Sequence, residues 1–552
     1  MNNKFFCLCQ LILLAHFASS QPYTFVKQWD YRYGGNLVDG PLNSPLPTND
    51  GGFIFAGNST SSADGNKTSI SKGSFDIWIF KTDSAGHKLW DKTLGGVGDE
   101  SLCGAVELED GSLVIVGTAD IGQSGDVSQP SKGGADYWVV KLDADGNKLW
   151  DKRFGGIGTE LLSSITISND NGFVLIGMSD SPVGADKSQP NWDASRFTED
   201  AWIIKIDSNG NKLWDKRYGG TKEDQGIAIS ATSDGGYMLG CYTSSDSTGD
   251  KSQHWWAFNT PAYWIIKIDS VGNKQWDKRY GGLDGEHISH VITTKDSGFV
   301  LGGYSYSNIG GDKTQNHWGV GGDFWIVKID AEGNKLWDKN IGSKDFDDLN
   351  ELSETNDGGF LLSGYSYNTD FGGGDKTEDD LGIQQSWIVK TDSLGQKQWD
   401  KTIFTTGRDE GGYTIETSDG CYLFTNASDG ATGGYKTQPA WDSSLDFFII
   451  KFCMTEFNGI NNEQHATNSK IQVHPNPFTR DVNIAVRFNN PSEHTATFII
   501  TNPTGQTLYQ KQENNLANGY TKMLDLSYLP NGVYFVAVEV DGECTVKQVV
   551  KQ

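Results

Sequence analysis

The sequence predicts an all-β protein in which a seven-bladed β-propeller precedes a small β-sandwich. Three observations predict this fold. A unit of about sixty residues is written seven times, each unit holds four strand-sized segments, and the chain opens with a lone copy of the fourth segment. The composition agrees, because 68 glycines and 12% aromatic residues beside only 5 methionines suit many short strands joined by glycine turns.

The repeat is marked by a tryptophan that an aspartate follows. The intervals between these tryptophans are 61, 60, 64, 62, 61 and 62 residues. A four-stranded antiparallel meander repeated at this period is a propeller blade. The seven tryptophans are Trp29, Trp90, Trp150, Trp214, Trp276, Trp337 and Trp399.

One unit illustrates the four predicted strands, at residues 224–232, 235–243, 263–269 and 274–282. A short turn that begins at Asp234 joins the first two, and Gly and Asn turns join the last two, as in β-hairpins. The third segment is apolar at successive positions, which is typical of a strand covered on both faces. Neighbouring blades of a propeller provide that cover.

The ends of the repeat region complete each other. The seventh unit has predicted strands near 410–417, 421–425 and 447–452, but no Trp-Asp-Lys strand follows them. The chain begins instead with such a strand at residues 25–35. We expect this opening strand to complete the last blade, which would leave no sheet edge exposed.

The domain plan begins with a secretory signal at residues 1–20, where Lys4 precedes an apolar stretch and small residues end the segment. The pattern for a lipid-modified cysteine is absent from this stretch. The propeller is predicted at 21–453, a polar linker at 454–469 and a C-terminal module at 470–552. No later stretch reaches the ~20 apolar residues of a membrane span.

Charge and cysteine content narrow the possible partners. A formal net charge of −26, spread along the chain, argues against binding to nucleic acid or to an anionic membrane. Five cysteines follow the signal segment, with wide spacings and no CxxC pair, so we expect mostly buried thiols and neither a disulfide scaffold nor a zinc site. They are Cys103, Cys241, Cys421, Cys453 and Cys544.

The C-terminal module carries three motifs in order. Pro475-Asn476-Pro477 opens it, a Leu-x-x-Leu-x-x-Gly-x-Tyr run contains Gly532 and Tyr534, and Lys551 lies at its end. This arrangement closely resembles the type A C-terminal sorting domain of the type IX (Por) secretion system. The resemblance implies a small β-sandwich that carries its cargo across the outer membrane, followed by surface attachment or release. It makes the type IX machinery the expected partner.

A carboxylate stands ten residues after every repeat tryptophan. In a propeller this position begins the innermost strand, so the seven side chains would ring the axis on the face that bears the loops from strand four to strand one. One hypothesis is a cation site, with Ca²⁺ as the candidate ion, because like charges so close together need compensation. The alternative is structural: each carboxylate accepts N–H groups of its glycine turn or pairs with a repeat lysine. The seven are Asp39, Glu100, Glu160, Asp224, Glu286, Asp347 and Asp409.

Tryptophans recur in the long loops between strands two and three, six residues after a DKSQ-like run. These loops fall on the same face as the carboxylates. Exposed indoles facing a shallow cup suit stacking against sugar rings, so the loop-rich face is a candidate binding face for a glycan or a protein. The alternative is that each indole packs over the edge of its blade. The residues are Trp192, Trp255, Trp256, Trp318 and Trp441.

No catalytic pattern stands out. The sequence has no HExxH, GxSxG or P-loop motif in a fitting context, and the repeated carboxylates single out no catalytic pair. We therefore favour a secreted or cell-surface binding propeller. The alternatives are a secreted hydrolase or lyase with an axial site, and a structural component of a surface layer. An axial enzyme predicts one blade that departs sharply from the repeat, and residues 254–261 are the most deviant loop.

Overall fold

The computed structural model describes residues 23–456 except 121, 194–197, 368–372 and 379–383, and residues 469–551 except 475–477, 489–493, 503–506, 517–519 and 541–542. The chain divides into two compact units, residues 1–457 and 458–552. The predicted signal segment and most of the predicted linker lie outside the described residues.

The described part of the first unit forms seven antiparallel sheets, the blades, in which consecutive strands are neighbours. The chain opens with β1 (Tyr23–Tyr33). Blade 1 contains β2 (Asp39–Pro41), β3 (Leu46–Pro47), β4 (Phe53–Ser59), β5 (Asp76–Thr82) and β6 (Lys88–Leu94); blade 2 contains β7 (Glu100–Glu107), β8 (Leu113–Ala119), β9 (Asp136–Leu142) and β10 (Lys148–Phe154); blade 3 contains β11 (Glu160–Ile167), β12 (Phe173–Ser179), β13 (Asp200–Ile206) and β14 (Lys212–Tyr218).

The remaining blades repeat the pattern. Blade 4 contains β15 (Asp224–Ala231), β16 (Tyr237–Thr243), β17 (Ala262–Ile268) and β18 (Lys274–Tyr280); blade 5 contains β19 (Glu286–Thr293), β20 (Phe299–Ser305), β21 (Asp323–Ile329) and β22 (Lys335–Ile341); blade 6 contains β23 (Asp347–Glu354), β24 (Phe360–Ser366), β25 (Gln385–Thr391) and β26 (Lys397–Ile403); blade 7 contains β27 (Asp409–Glu416), β28 (Tyr422–Ser428), β29 (Asp446–Glu456) and β1.

The opening strand closes the ring, as the sequence predicts. β1 pairs antiparallel with β29, from Tyr23 opposite Glu456 to Tyr33 opposite Phe447. Blade 7 then packs against blade 1 through a shared apolar cluster that includes Phe447 and Trp78. The seven-bladed propeller is confirmed. Strand pairing completes its last blade, and packing joins that blade to the first.

The core lies between the blades. Every neighbouring pair of blades shares one apolar cluster within the described residues. The third strand of a blade is buried on both faces, as in β13, where Trp202 is fully buried and its indole N–H donates to Asp215 at 3.1 Å. The aspartate of the repeated Trp-Asp pair lies on the fourth strand. In blades 1 to 6 it accepts this bond from the buried tryptophan of the third strand, which explains in part why the pair recurs.

The expectation of thiols is wrong for two of the five cysteines. Cys421 and Cys453 form a disulfide with their Cα atoms 4.3 Å apart, because Cys421 precedes β28 directly opposite Cys453 on β29. Their separation of 32 residues in the sequence gave no indication of this pairing. Cys241 is a buried thiol, and Cys103 is a partly buried one.

The second unit is a β-sandwich of two sheets, β30-β31-β34 and β33-β32-β35-β36. Alternate side chains of β31 fill its core, where Val482, Ile484 and Val486 are all buried. The strands are β30 (Ser469–His474), β31 (Asp481–Phe488), β32 (His494–Thr501), β33 (Thr507–Leu516), β34 (Tyr520–Asp525), β35 (Gly532–Val540) and β36 (Glu543–Lys551).

Candidate functional site

The seven repeat carboxylates begin the first strand of their blades, and each is at most 2% exposed. First strands of adjacent blades contact one another, as β11 does with β7 and β15, so these strands surround the axis. Each carboxylate accepts the backbone N–H of the residue four positions earlier, at 2.6–3.0 Å. Hydroxyls add to this, as Ser245 does by donating to Asp224 at 2.7 Å.

These contacts give the carboxylates a role in holding the turn that leads into each blade. Burial raises the pKa of Glu286 and of Asp347 to about 7, despite the hydrogen bonds that favour their ionised forms. Among the residues that the structure describes, no three His, Cys, Asp or Glu side chains lie close enough together to hold a metal ion. Calcium binding at this ring stays a hypothesis beside the structural role.

The DKSQ-like run connects each blade to the one before it. Asp250, in the loop of blade 4, accepts hydrogen bonds from Gly219 N at 3.2 Å, Arg217 Nη1 at 2.7 Å and Trp192 Nε1 at 2.9 Å, all in blade 3. The next residue, Lys251, is buried and donates to Ser245 O at 2.5 Å within its own blade. The run therefore has a structural role at the junction between blades.

The loop tryptophans are the other half of these junctions. Trp192, Trp256 and Trp318 are between 45% and 48% exposed, yet the indole N–H of each donates to a loop aspartate of the next blade. Trp441 makes the corresponding bond to Asn66 and closes the ring at 3.2 Å. An arginine stacks on three of the four indoles, at 4.1–4.8 Å from the ring centre. The rings are thus both partly exposed and fixed in position.

Trp255 differs from the other four. Its ring lies 4.7 Å from Lys222 Nζ and packs edge-on against Phe258, while its own Nε1 is buried and has no hydrogen-bond partner among the described residues. Phe258 is 87% exposed at the tip of the same loop, and Val320 is 86% exposed in the equivalent loop of blade 5. Blades 4 and 5 therefore present apolar loop tips to solvent.

A second aromatic group, which the sequence reasoning missed, lies nearer the axis on the same face. We call it the aromatic platform, and it spans blades 4, 5 and 6 through ring contacts of 4.8–6.5 Å. The His287 imidazole is stacked between Tyr242 and Tyr304, with 4.8 Å to each ring centre. The platform consists of Tyr242, His287, Tyr304, Tyr306, Phe346, Tyr365 and Tyr367.

Polar groups accompany the platform. Tyr365 donates its hydroxyl to Asp348 Oδ2 at 2.9 Å, and burial raises the pKa of Asp348 to about 6. Burial also lowers the pKa of His287, so its imidazole is neutral at neutral pH. The signal in the sequence was the run Gly-Tyr-Ser-Tyr, which begins at Gly303 and again at Gly364 and has no counterpart in the other repeats.

The sorting motifs meet at one turn of the second unit. The Lys551 ammonium is buried and donates to the carbonyls of Leu526, Ser527 and Leu529, at 3.1 Å and 2.9 Å for the first two. Tyr534 donates its hydroxyl to Pro530 O at 2.7 Å, so both predicted residues hold the turn that precedes β35 at Gly532. Pro475, Asn476 and Pro477 lie outside the described residues.

Residues 472–552 match the family model described as the secretion system C-terminal sorting domain. The chain carries a type IX C-terminal sorting domain. Such a domain implies handling by the type IX secretion machinery, and the protein is exported to the cell surface or secreted. The described residues form no helix long and apolar enough to cross a membrane.

One curated sequence similar to this chain is the "Regulatory protein FlaEY" of Caulobacter vibrioides, with 25% identity over 219 residues, which are 38% of this chain and 22% of that protein. The chain therefore matches about a fifth of the length of that relative. At this coverage the role of the relative is a property of that protein alone.

Solved structures with similar backbones are distant. A fungal alcohol oxidase of the AA5 family in complex with copper has a TM-score of 0.38 at 11% identity, covering 96% of this chain and 100% of that one. A puromycin hydrolase reaches 0.39 at 10%, covering 82% and 61%, and a Synechocystis apocarotenoid oxygenase mutant reaches 0.36 at 11%, covering 91% and 98%. TM-scores this low carry no argument about what this chain does.

Proposed function

We propose that the exported propeller is a carbohydrate-binding protein and that the loop-rich face of blades 4 to 6 binds the glycan. The aromatic platform carries this proposal. Its rings contact one another across three adjacent blades, and Tyr306 and Tyr367 are each 37% exposed at its edge. Aromatic rings that are half exposed yet held in place by neighbours lose little conformational freedom when a ligand stacks on them.

The chemistry of the platform favours a sugar over a purely apolar ligand. A sugar ring has one face of C–H groups that stacks on an aromatic ring and an edge of hydroxyls that needs polar partners. Asp348 and the neutral His287 lie among the tyrosines and offer such partners. The imidazole adds no charge at pH 7, and the Asp348 carboxylate can accept hydrogen bonds from sugar hydroxyls.

The outer part of the same face supports a ligand larger than one sugar. Phe258 and Val320 expose apolar loop tips on blades 4 and 5, and the rings of Trp256 and Trp318 are about half exposed there. An extended exposed apolar surface marks an interaction site more often than scattered single residues do. The proposed outer contacts are Trp255 and Trp256 of blade 4 and Trp318 of blade 5. Trp192 of blade 3 lies at the edge of this face, whereas Trp441 lies at the junction of blades 7 and 1 and serves that junction.

A glycan array probed with the full chain tests the proposal. We expect binding to a defined set of glycans, and Tyr306→Ala and Tyr367→Ala should each weaken that binding about tenfold or more, since hot-spot aromatics typically contribute over 1 kcal/mol. Tyr528→Ala is the matched control, because Tyr528 is an exposed tyrosine of the sorting domain. An array without binding, or platform variants that bind like the parent, would refute the proposal.

A further inference from the structure

A cavity of about 300 Å³ lies at the centre of the propeller. Its walls come from the first strands of blades 2, 3 and 6 and from residues 43–46, which cross from blade 1. Because blade 6 lies across the ring from blades 2 and 3, a cavity that touches all three is on the axis. Ser44 of the crossing segment donates its hydroxyl to Glu351 Oε2 of blade 6.

The cavity is asymmetric although the blades that surround it repeat. The fifth residue of the first strand is small in blades 2, 3 and 4, where it is Gly104, Ser164 and Ala228. The same position in blades 5, 6 and 7 is His290, Glu351 and Tyr413. One wall thus leaves room and the opposite wall carries titratable side chains.

Polar atoms at this cavity lack hydrogen-bond partners. Asn43 Oδ1 of the lining and Nδ1 of His290, the imidazole beside Glu351, are buried and have no partner among the described residues. Glu351 is the one carboxylate among the described lining residues, and His290 Nε2 lies 3.7 Å from its Oε2, too far for a hydrogen bond. Unpaired buried acceptors are costly and favour a ligand that brings donors.

The charge balance points the same way. Burial lowers the pKa of His290 to about 4, so the imidazole is neutral and gives Glu351 no counter-charge near pH 7. Burial raises the pKa of Glu351 to about 7. Tyr413 of blade 7, which interacts with Glu351, and the Cys103 thiol of the opposite wall add no positive charge. A bound cation would supply the counter-charge that the Glu351 carboxylate lacks.

We infer that the axial cavity binds a small primary amine, whose ammonium donates to the Glu351 carboxylate and to Asn43 Oδ1. A single carboxylate with neutral oxygen and nitrogen acceptors suits an ammonium with its three N–H donors. A divalent metal ion would require several oxygen ligands in a regular geometry, and one carboxylate does not provide them. This site is separate from the proposed glycan face.

Calorimetric titration of the full chain with propylamine, and with 1-propanol as its uncharged counterpart, tests the inference. At pH 8 we expect propylamine to bind and 1-propanol not to bind. Affinity for propylamine should fall about tenfold or more at pH 5.5, because protonation of Glu351 removes the carboxylate. Absence of propylamine binding at pH 8, or equal binding of the alcohol, would overturn the inference.

Variants locate the binding. Glu351→Gln should lower propylamine affinity at least about tenfold, as loss of a charged hydrogen-bond partner does, whereas Glu410→Gln, an exposed glutamate of the next blade, should leave it unchanged. A second variant, Ser164→Leu, covers the case in which Glu351→Gln does not fold. The leucine fills the cavity from the opposite wall without altering the charge of the cavity, and it should abolish propylamine binding. Propylamine binding that survives Ser164→Leu would contradict the axial location. Tyr306→Ala should lose the glycan and keep the amine, so the two proposals fail separately.

Discussion

Blades 2 and 3 share a frame with blades 5 and 6 but differ in their surface. By the frame we mean the carboxylates that begin the first strands, and by the surface the side chains at the next position and opposite it. All four begin with a buried carboxylate, at Glu100, Glu160, Glu286 and Asp347. The next residue of the first strand and its partner on the second strand differ between the blades. These pairs are Ser101–Thr118 in blade 2 and Leu161–Met178 in blade 3, but His287–Tyr304 in blade 5 and Asp348–Tyr365 in blade 6. The carboxylate that all blades share and the position that differs between blades are therefore adjacent in the chain.

The difference separates two kinds of residue. A feature present in every blade serves the blade, as the carboxylates do through their hydrogen bonds. The loop aspartates of blades 2 to 6 likewise serve the junction to the neighbouring blade. A feature confined to a few blades serves no repeated contact and is free to serve a ligand. Both the aromatic platform and the titratable wall of the axial cavity are features of this second kind.

The largest expected effect is the loss of a repeated carboxylate. Asp224→Ala removes an acceptor for Gly220 N and the Ser245 hydroxyl, and leaves these buried donors without a partner. We expect a loss of about 3 kcal/mol in the free energy of unfolding, measured by urea denaturation.

The matched control for that change is Asp348→Ala, at the second position of β23 in the variable surface. Its main described partner is the Tyr365 hydroxyl, and we expect a loss of about 1 kcal/mol or less. Equal losses for the two variants would break the distinction between frame and surface.

A smaller effect is expected at the loop junctions, where two adjacent tryptophans allow a paired test. Trp256→Ala loses the bond to Asp312 at 2.8 Å and the stacking of Arg279, so we expect a loss of about 1–2 kcal/mol in thermal or urea unfolding. Trp255 makes no such bond across blades, and Trp255→Ala should cost less. The reverse order would show that the junction bonds do not stabilise the ring.

The sequence predicted the repeated features well because each is written seven times. The Trp-Asp period predicted the blade count, and the unpaired opening strand predicted its pairing with β29. The position of the seven carboxylates at the start of the first strands followed from the same period. Periodicity identifies what all blades share.

Features that occur in only one or a few blades could not be predicted in this way, because periodicity carries no information about them. The disulfide between Cys421 and Cys453 depends on register within a single blade. The platform depends on which residues of three blades face one side, and the contact of Ser44 with Glu351 joins residues 307 positions apart. The loop tryptophans were found, but their bonds to the next blade require the relative placement of two loops.

A smaller effect on stability is expected from the pH of the solution, through the buried carboxylates. Burial raises the pKa of Glu286 to about 7 from an ordinary value of 4.5, so the folded protein holds this proton more tightly than the unfolded chain. Its contribution to stability is therefore greatest below pH 4.5 and decreases as the pH rises to about 7. Lys313, linked to it through Ser305, does not titrate in this window because burial lowers its pKa only to about 8.

Glu286→Gln removes that dependence. Between pH 4.5 and 7, the unfolding free energy of the variant should decline less steeply than that of the parent, measured by urea denaturation at each pH. Glu410→Gln, which alters an exposed glutamate, should reproduce the slope of the parent. Identical slopes for all three proteins would mean that Glu286 titrates in the fold as it does in the unfolded chain.

The smallest expected effect concerns calcium at the carboxylate ring. A ligand that binds only the folded state at a hundred times its Kd stabilises it by about 2.7 kcal/mol, which raises the melting temperature measurably. The carboxylates already accept turn N–H groups at 2.6–3.0 Å and are at most 2% exposed, so they have little capacity left for an ion. We expect millimolar calcium to shift the melting temperature by less than about 1 °C. The opposite result would be a melting temperature that rises by several degrees with calcium but not with magnesium, and that does not rise in Asp347→Asn. The repeated carboxylates would then bind a ligand, and repeated residues could no longer be separated from ligand-binding residues.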